Sequence, residues 1–301
     1  MSKKIAAALL FGLFAGLLNG CVKGDAVSKA ETSTPANVIS SKKVLIVLSS
    51  ESVLTLKNGG TYPTGYFLRE LSVPAKQLVD AGFNLVFADP KGNTPTMDKR
   101  SDNVTAFSGD AALYQEIRQF YDLTLVPQLQ SPLSLQEVIA GGLDQYAAIF
   151  IPGGHAPMID LMASSELGQI LRHFHDASKP TALLCHGTVA LVAAVTNPQA
   201  YQQAIIAGDL PAAEAQVGSW PYAGYHMTAF STAEEQLAAP SIGGKVQFNI
   251  ETALQEAGLI VEVTTPRKSE VVHDRELLTG QNPYSDEELG RDLVQVLTGS
   301  N

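Results

Sequence analysis

An α/β fold built on a mostly parallel sheet, with helices on both faces, is the architecture this chain predicts. Two patterns carry that expectation. Short continuous apolar runs, Val44–Ser49, Phe83–Ala88, Ala147–Ile151 and Thr181–Leu184, read as strands buried on both faces. Helical stretches lie between them, and strands alternating with helices predict a parallel sheet with both faces covered. A third observation places a candidate site. The run Thr181–Cys185 passes through His186-Gly187-Thr188 into apolar Val189–Ala194, so a thiol stands where a buried strand turns into a helix. Such a nucleophile elbow lifts one side chain over the sheet edge among free backbone amides, which favour the thiolate. On the local pattern alone, a small core cysteine fits equally well.

In chain order, the first residues read as processing signal. Lys3 and Lys4 precede the apolar stretch Ile5–Leu17, which is shorter than the roughly 20 residues of a membrane-spanning helix and suits a signal peptide. Leu18-Asn19-Gly20-Cys21 resembles a bacterial lipobox, which implies that residues 1–20 are a lipoprotein signal peptide and that Cys21 is lipidated. With Val22 in place of aspartate, the resemblance to proteobacterial lipoproteins implies the outer membrane over the inner one, so a cell-envelope lipoprotein facing the periplasm is expected. Residues 21–41 form the lipidated N-terminus and a flexible tether, being rich in Lys, Gly, Ser, Thr and Pro without periodicity.

The folded domain is expected over 42–301. After the first strand, Gly65–Ala81 carries Phe67, Leu68, Leu71, Ala75, Leu78 and Val79 at helical spacing, with Pro74 marking a kink or restart and Gly82 a stop. Residues 110–145 read as two helices broken at Gln130-Ser131-Pro132, a cap over the sheet edge. Residues 197–222 read as a further inserted helix and loop. A helix over Phe248–Ala257, strand-like Leu259–Val263, Val271–Asp274 and Leu277–Gly280, and an amphipathic helix over Asp286–Leu297 complete the domain.

Ligands in such sheets bind at the carboxyl ends of the strands. Pro152-Gly153-Gly154-His155 and Cys185-His186-Gly187 each follow a strand, so both loops should converge on one pocket. There the amides of Gly153 and Gly154 are candidates to hold an oxyanion and His155 to touch substrate oxygen; a plain tight turn and a solvated histidine are the alternatives. Trp220, Tyr222 and Tyr225 line this pocket or belong to the core.

Composition narrows the partners. The chain has 301 residues, 45% hydrophobic, with a net charge of −10. Acidity without a basic cluster argues against nucleic acid and against electrostatic adhesion to anionic lipid, leaving membrane contact to the N-terminal lipid. With only two cysteines, lipidation of Cys21 leaves Cys185 without an intramolecular partner. An accessible lone thiol in an oxidising compartment favours a functional reading. His173 and His175, two apart on a helix, do not share a face, and no required metal is expected.

With these pieces in register, residues 42–298 resemble the DJ-1/PfpI superfamily, whose domain is like the class I glutamine amidotransferase fold. Within it the chain is similar to the branch of heat-shock chaperones and glutathione-independent glyoxalases. The segments that carry the resemblance are Thr64–Pro74, Ala88–Gly92, Pro152–His155, Leu184–Gly187, Thr228–Glu235 and Leu278–Pro283. The resemblance implies a flavodoxin-like sheet with helical insertions. It also implies a catalytic set of Cys185 as nucleophile, His186 beside it, Glu70 meeting the sulfur, and Glu235 orienting the histidine, with Glu234 the alternative. The implied activity is cofactor-independent conversion of a small 2-oxoaldehyde of the methylglyoxal type to a 2-hydroxy acid, in the manner of a glyoxalase III-like lyase. The implied partners are a small carbonyl substrate and a second copy of the chain. An envelope holdase chaperone or a redox and stress-response protein is the alternative, and an amidotransferase or cysteine peptidase is disfavoured because His226-Met227-Thr228 lacks the His-Pro-Glu element.

Overall fold

Four apolar runs set the frame. In the computed structural model, which describes residues 42–299, the strands in chain order are β1 (Lys43–Val47), β2 (Val53–Thr55), β3 (Thr61–Pro63), β4 (Asn84–Asp89), β5 (Leu133–Ser134), β6 (Tyr146–Ile151), β7 (Thr181–Leu184), β8 (His226–Met227), β9 (Ile260–Val261), β10 (Val271–Asp274) and β11 (Leu277–Gly280). The helices are α1 (Leu68–Asp80), α2 (Ala111–Phe120), α3 (Val126–Leu129), α4 (Leu135–Ala140), α5 (Ser165–Asp176), α6 (Pro198–Ala207), α7 (Leu210–Val217), α8 (Thr232–Ile242), α9 (Ile250–Glu256) and α10 (Asp286–Thr298). The expected signal peptide, Cys21 and the tether lie outside the described residues.

A seven-stranded sheet runs in the order β10-β11-β7-β6-β1-β4-β5, parallel throughout except for the antiparallel pair β10 and β11. β1 is central because every residue from Val44 to Val47 is apolar and buried. Alternate side chains feed two cores. Leu45, Val47, Ile149, Ile151 and Leu183 meet α5 and the chain after Cys185 on one face. Val44, Ile46, Phe150 and Leu184 meet Leu71 and Leu78 of α1 and Leu289 and Leu293 of α10 on the other. Each such side chain contributes about 1.5–3 kcal/mol by leaving water.

Several segments differ from expectation. Pro74 sits inside an unbroken α1. The first helix of the 110–145 segment continues through a π turn at Tyr121–Leu125 into α3, and β5 then adds a strand at the sheet edge beside β4. Residues 197–222 form two helices, α6 and α7. β9 pairs with β8 in a small separate sheet. Among the described residues, no helix is long and apolar enough to cross a membrane.

Candidate active site

Two neighbouring strand ends and one helix start build the site. β6 and β7 are adjacent and parallel, so the loops after Ile151 and Leu184 emerge side by side. Cys185 has φ of 58°, the left-handed backbone that a non-glycine residue adopts only where its surroundings enforce it. The following Cys185–Ala194 winds as a 3₁₀ helix with all ten residues buried. A β-carbon at Gly187 would stand 2.6 Å from the carbonyl oxygens of both Ile151 and Pro152, so glycine there is what lets the two loops touch. α1 is fastened to the same place, since the amide of Phe67 donates to the Gly153 carbonyl at 3.2 Å and that of Leu68 to Ser101 Oγ at 2.9 Å.

This brings Glu70, in the first turn of α1, against the elbow. A β-carbon on Gly153 would lie 2.3 Å from Glu70 Oε2 and 2.7 Å from Cys185 Cβ, so the carboxyl and the cysteine share the space a side chain would fill. Next to Glu70, Arg69 makes a two-pronged ion pair with buried Asp286, Nε–Oδ2 2.7 Å and Nη2–Oδ1 2.9 Å, locking α1 to α10. Glu70 is fully buried, and neither carboxyl oxygen has a conventional hydrogen bond. Burial therefore pushes its carboxyl up to about 8, and at neutral pH it is a protonated acid.

On the other side, His186 Nδ1 lies 3.3 Å from Cys185 Sγ and its Nε2 lies 2.8 Å from Glu235 Oε2. His155 Nε2 approaches Glu235 Oε1 at 3.4 Å, and the two imidazoles lie with centroids 4.1 Å apart, tilted by 40°. Burial, then the neighbouring His155, push His186 down to about 4. Burial alone would raise the Glu235 carboxyl, but the two imidazoles outweigh it and hold it well below the usual carboxylate range. The network fixes the tautomer: Nε2–H of His186 donates to ionised Glu235, leaving the Nδ1 lone pair toward the thiol.

The thiol itself departs from expectation. The His186 amide does favour a thiolate, but burial, then the Glu70 carboxylate, outweigh it and push the Cys185 thiol well above its ordinary value. The resting sulfur keeps its proton and has a base within reach.

The remaining candidates separate. Gly154 and His155 line the cavity above the sulfur, whereas Gly153 is turned against Glu70 and Cys185. Glu234, the alternative to Glu235, closes a capping box with Ser231. It also accepts from Gln281 Nε2 at 2.9 Å, Asn282 Nδ2 at 2.8 Å and the Arg267 amide at 3.0 Å. Tyr222 and Trp220 pack in the core, the Tyr222 hydroxyl donating to the Leu171 carbonyl at 3.0 Å. Sequence reasoning found no clustered metal-ligating set, yet His155, His186 and Glu235 hold donor atoms within 4.8 Å of one another. These would be the protein's ligands for a divalent cation; in this arrangement they bond to each other.

The cavity above Cys185 measures about 480 Å³. Phe67, Phe230, Arg100 and Arg267 form part of its walls, and none of them was a candidate site residue from sequence. Arg267 lies in a stretch, 264–269, without periodicity or a recognisable motif.

Residues 63–235 match a family model described as ThiJ/PfpI family-like. The chain is 27% identical over 274 residues to the protein/nucleic acid deglycase HchA of Pseudomonas aeruginosa strain UCBPP-PA14, covering 89% of this chain and 84% of that protein. It is 27% identical over 261 residues to HchA of Staphylococcus aureus strain JH9, covering 85% and 80%. In fold it is similar to glyoxalase III of Candida albicans, with a TM-score of 0.66 at 19% identity over 86% of this chain and 98% of that one.

Proposed function

The chain belongs to the DJ-1/PfpI superfamily through its ThiJ/PfpI-like segment, and on that premise we propose that it converts a 2-oxoaldehyde of the methylglyoxal type to a 2-hydroxy acid at Cys185. The observation that carries this reading is the placement of one sulfur between a neutral imidazole at 3.3 Å and a buried carboxyl that holds its proton up to about pH 8.

The chemistry follows from these groups. Cys185 Sγ attacks the aldehyde carbon as His186 Nδ1 takes the thiol proton, and the new alkoxide takes a proton to give a hemithioacetal. Glu70, once ionised, removes the hydrogen from C1; the electron pair forms the C1–C2 double bond of an enediol as O2 gains a proton. Glu70 then returns its proton to C2 as the C1 hydroxyl gives up its proton, which replaces the one taken up by O2, leaving a thioester on Cys185. Water cleaves the thioester, releasing the 2-hydroxy acid and restoring the thiol. C1 is oxidised by two electrons and C2 reduced by two, so the reaction calls for no outside redox partner. Ionised Glu235 stabilises His186 when it carries the extra proton. The Gly154 amide at the cavity wall is the candidate donor to the developing oxyanion.

The deglycase name of the bacterial relatives and the glyoxalase III name of the structural neighbour support aldehyde-adduct chemistry. The test is lactate production from methylglyoxal by the purified protein, with loss of activity in Cys185→Ala and Glu70→Gln. Folded wild-type protein that leaves methylglyoxal unconverted contradicts the reading.

A further inference from the structure

The cavity above Cys185 is far larger than a three-carbon oxoaldehyde fills. Its volume of about 480 Å³ falls among pockets, about 300–1,000 Å³, that enclose much larger ligands. Its charge is also distinctive. Arg100 and Arg267 both line it, and among the described residues the only acidic side chain doing so is Glu70, which is uncharged at neutral pH. A chain with a net charge of −10 thus presents a cationic wall to whatever reaches its thiol.

Arg100 is partly committed. Its Nε meets the Tyr62 hydroxyl at 2.5 Å and Asp98 at 3.8 Å, and its Nη1 meets Ser241. Arg267 is different. Among the described residues no carboxylate pairs with its guanidinium, while its main chain is firmly held. Glu234 accepts its amide at 3.0 Å, and Asn282 Nδ2 donates to the carbonyl of the next residue, Lys268, at 2.8 Å. Between these clamps Arg267 has φ of 67°, a conformation that glycine would adopt without strain. Strain of this kind persists where surrounding structure enforces it, often at ligand clamps. The clamp leads back to the reaction centre, because Glu234 adjoins Glu235 on α8.

We propose that Arg267, assisted by Arg100, binds an anionic group of the substrate, so that the site takes carbonyl compounds bearing a carboxylate or phosphate remote from the reacting aldehyde in preference to uncharged methylglyoxal, which it still converts. This rests on the thiol chemistry proposed above, and it makes Arg267 a specificity-determining residue. A guanidinium suits either anion through paired N–H donors.

The test reads Cys185 directly. The full chain is alkylated with iodoacetate or with iodoacetamide, and modification of the Cys185 peptide is followed by mass spectrometry. The iodoacetate-to-iodoacetamide rate ratio should exceed that of the unfolded chain, fall about tenfold in Arg267→Met, and be largely kept in Arg267→Lys. The neutral reagent reports any general disturbance of the fold. Inorganic phosphate and propionate, compared as protectants against iodoacetamide, distinguish the two anions: the one that protects wild type but not Arg267→Met identifies the group. A ratio unchanged by Arg267→Met, or no protection by either anion, overturns the proposal. Alkylation needs no aldehyde turnover, so this result is separate from the fate of methylglyoxal.

Discussion

Glu70 and Cys185 occupy buried space in which neither gains by being ionised, and that single fact sets both the pH behaviour and the stability of the site. With its carboxyl raised to about 8, Glu70 becomes the base for C1 only as pH climbs, so kcat should rise toward a plateau above pH 8, a limb absent from any residual activity of Glu70→Gln. The stability consequence has the opposite direction. The folded state holds the Glu70 proton across the interval from the unfolded value of 4.5 to about 8, so this group's contribution to stability falls as pH rises through that window. Glu70→Gln should therefore be inactive yet more stable than wild type at pH 9, by up to a few kcal/mol, as read by denaturant unfolding. The adjacent acids on α8 should part in the same kind of experiment. Glu235→Gln should lower kcat by about 10²-fold or more with little change in melting temperature. Glu234→Gln, which leaves donors from Ser231, Gln281, Asn282 and Arg267 poorly matched, should cost about 1–3 kcal/mol of stability. The sequence put Glu70 on the first helix and Cys185 and His186 at a strand-to-helix turn, where the structure has them, and the choice of Glu235 over Glu234 came from the family resemblance and not from the local pattern. Consecutive helix residues point about 100° apart, and which one reaches His186 depends on how α8 docks.

At the scale of elements, the glutamate and proline of α1 belong together. Pro74 has no amide hydrogen, so the carbonyl of Glu70, four residues earlier, lacks its helical donor, and the turn carrying the acid is held instead by Gly153, Ser101 and the Arg69–Asp286 pair. The glycine loop after β6 is as constrained. Gly153→Ala should drive a methyl group into Glu70 Oε2 and Cys185 Cβ, lowering kcat and altering the pH at which Cys185 is alkylated more than it lowers the melting temperature. The four central strands were legible because strands buried on both faces are unbroken apolar runs. The chain after Cys185 was legible as helical but not as 3₁₀, since ten buried residues leave no polar face to report the winding. β5 and β8 were not legible, because two-residue strands carry too little pattern; β9 lies inside the strand-like run 259–263, and only its pairing with β8 is owed to tertiary contacts the sequence does not display.

For the whole molecule, the contrast is between a net charge of −10 and a cavity lined by two arginines. The lipidated envelope location is carried by the Leu18–Cys21 segment alone, and we propose it as such: in a host that processes lipoproteins, Cys21→Ser should shift the protein from the membrane fraction and abolish labelling by a tagged fatty acid. The most direct measurement concerns the reaction itself. Full-length wild type, Cys185→Ala and Glu70→Gln, each verified as folded, are given methylglyoxal and followed by NMR for lactate. The proposed mechanism predicts lactate from wild type, none above background from either variant, and a mass of Cys185 increased by the methylglyoxal adduct in Glu70→Gln, where addition proceeds but proton transfer does not. Equal lactate from Cys185→Ala, or none from wild type, would contradict it.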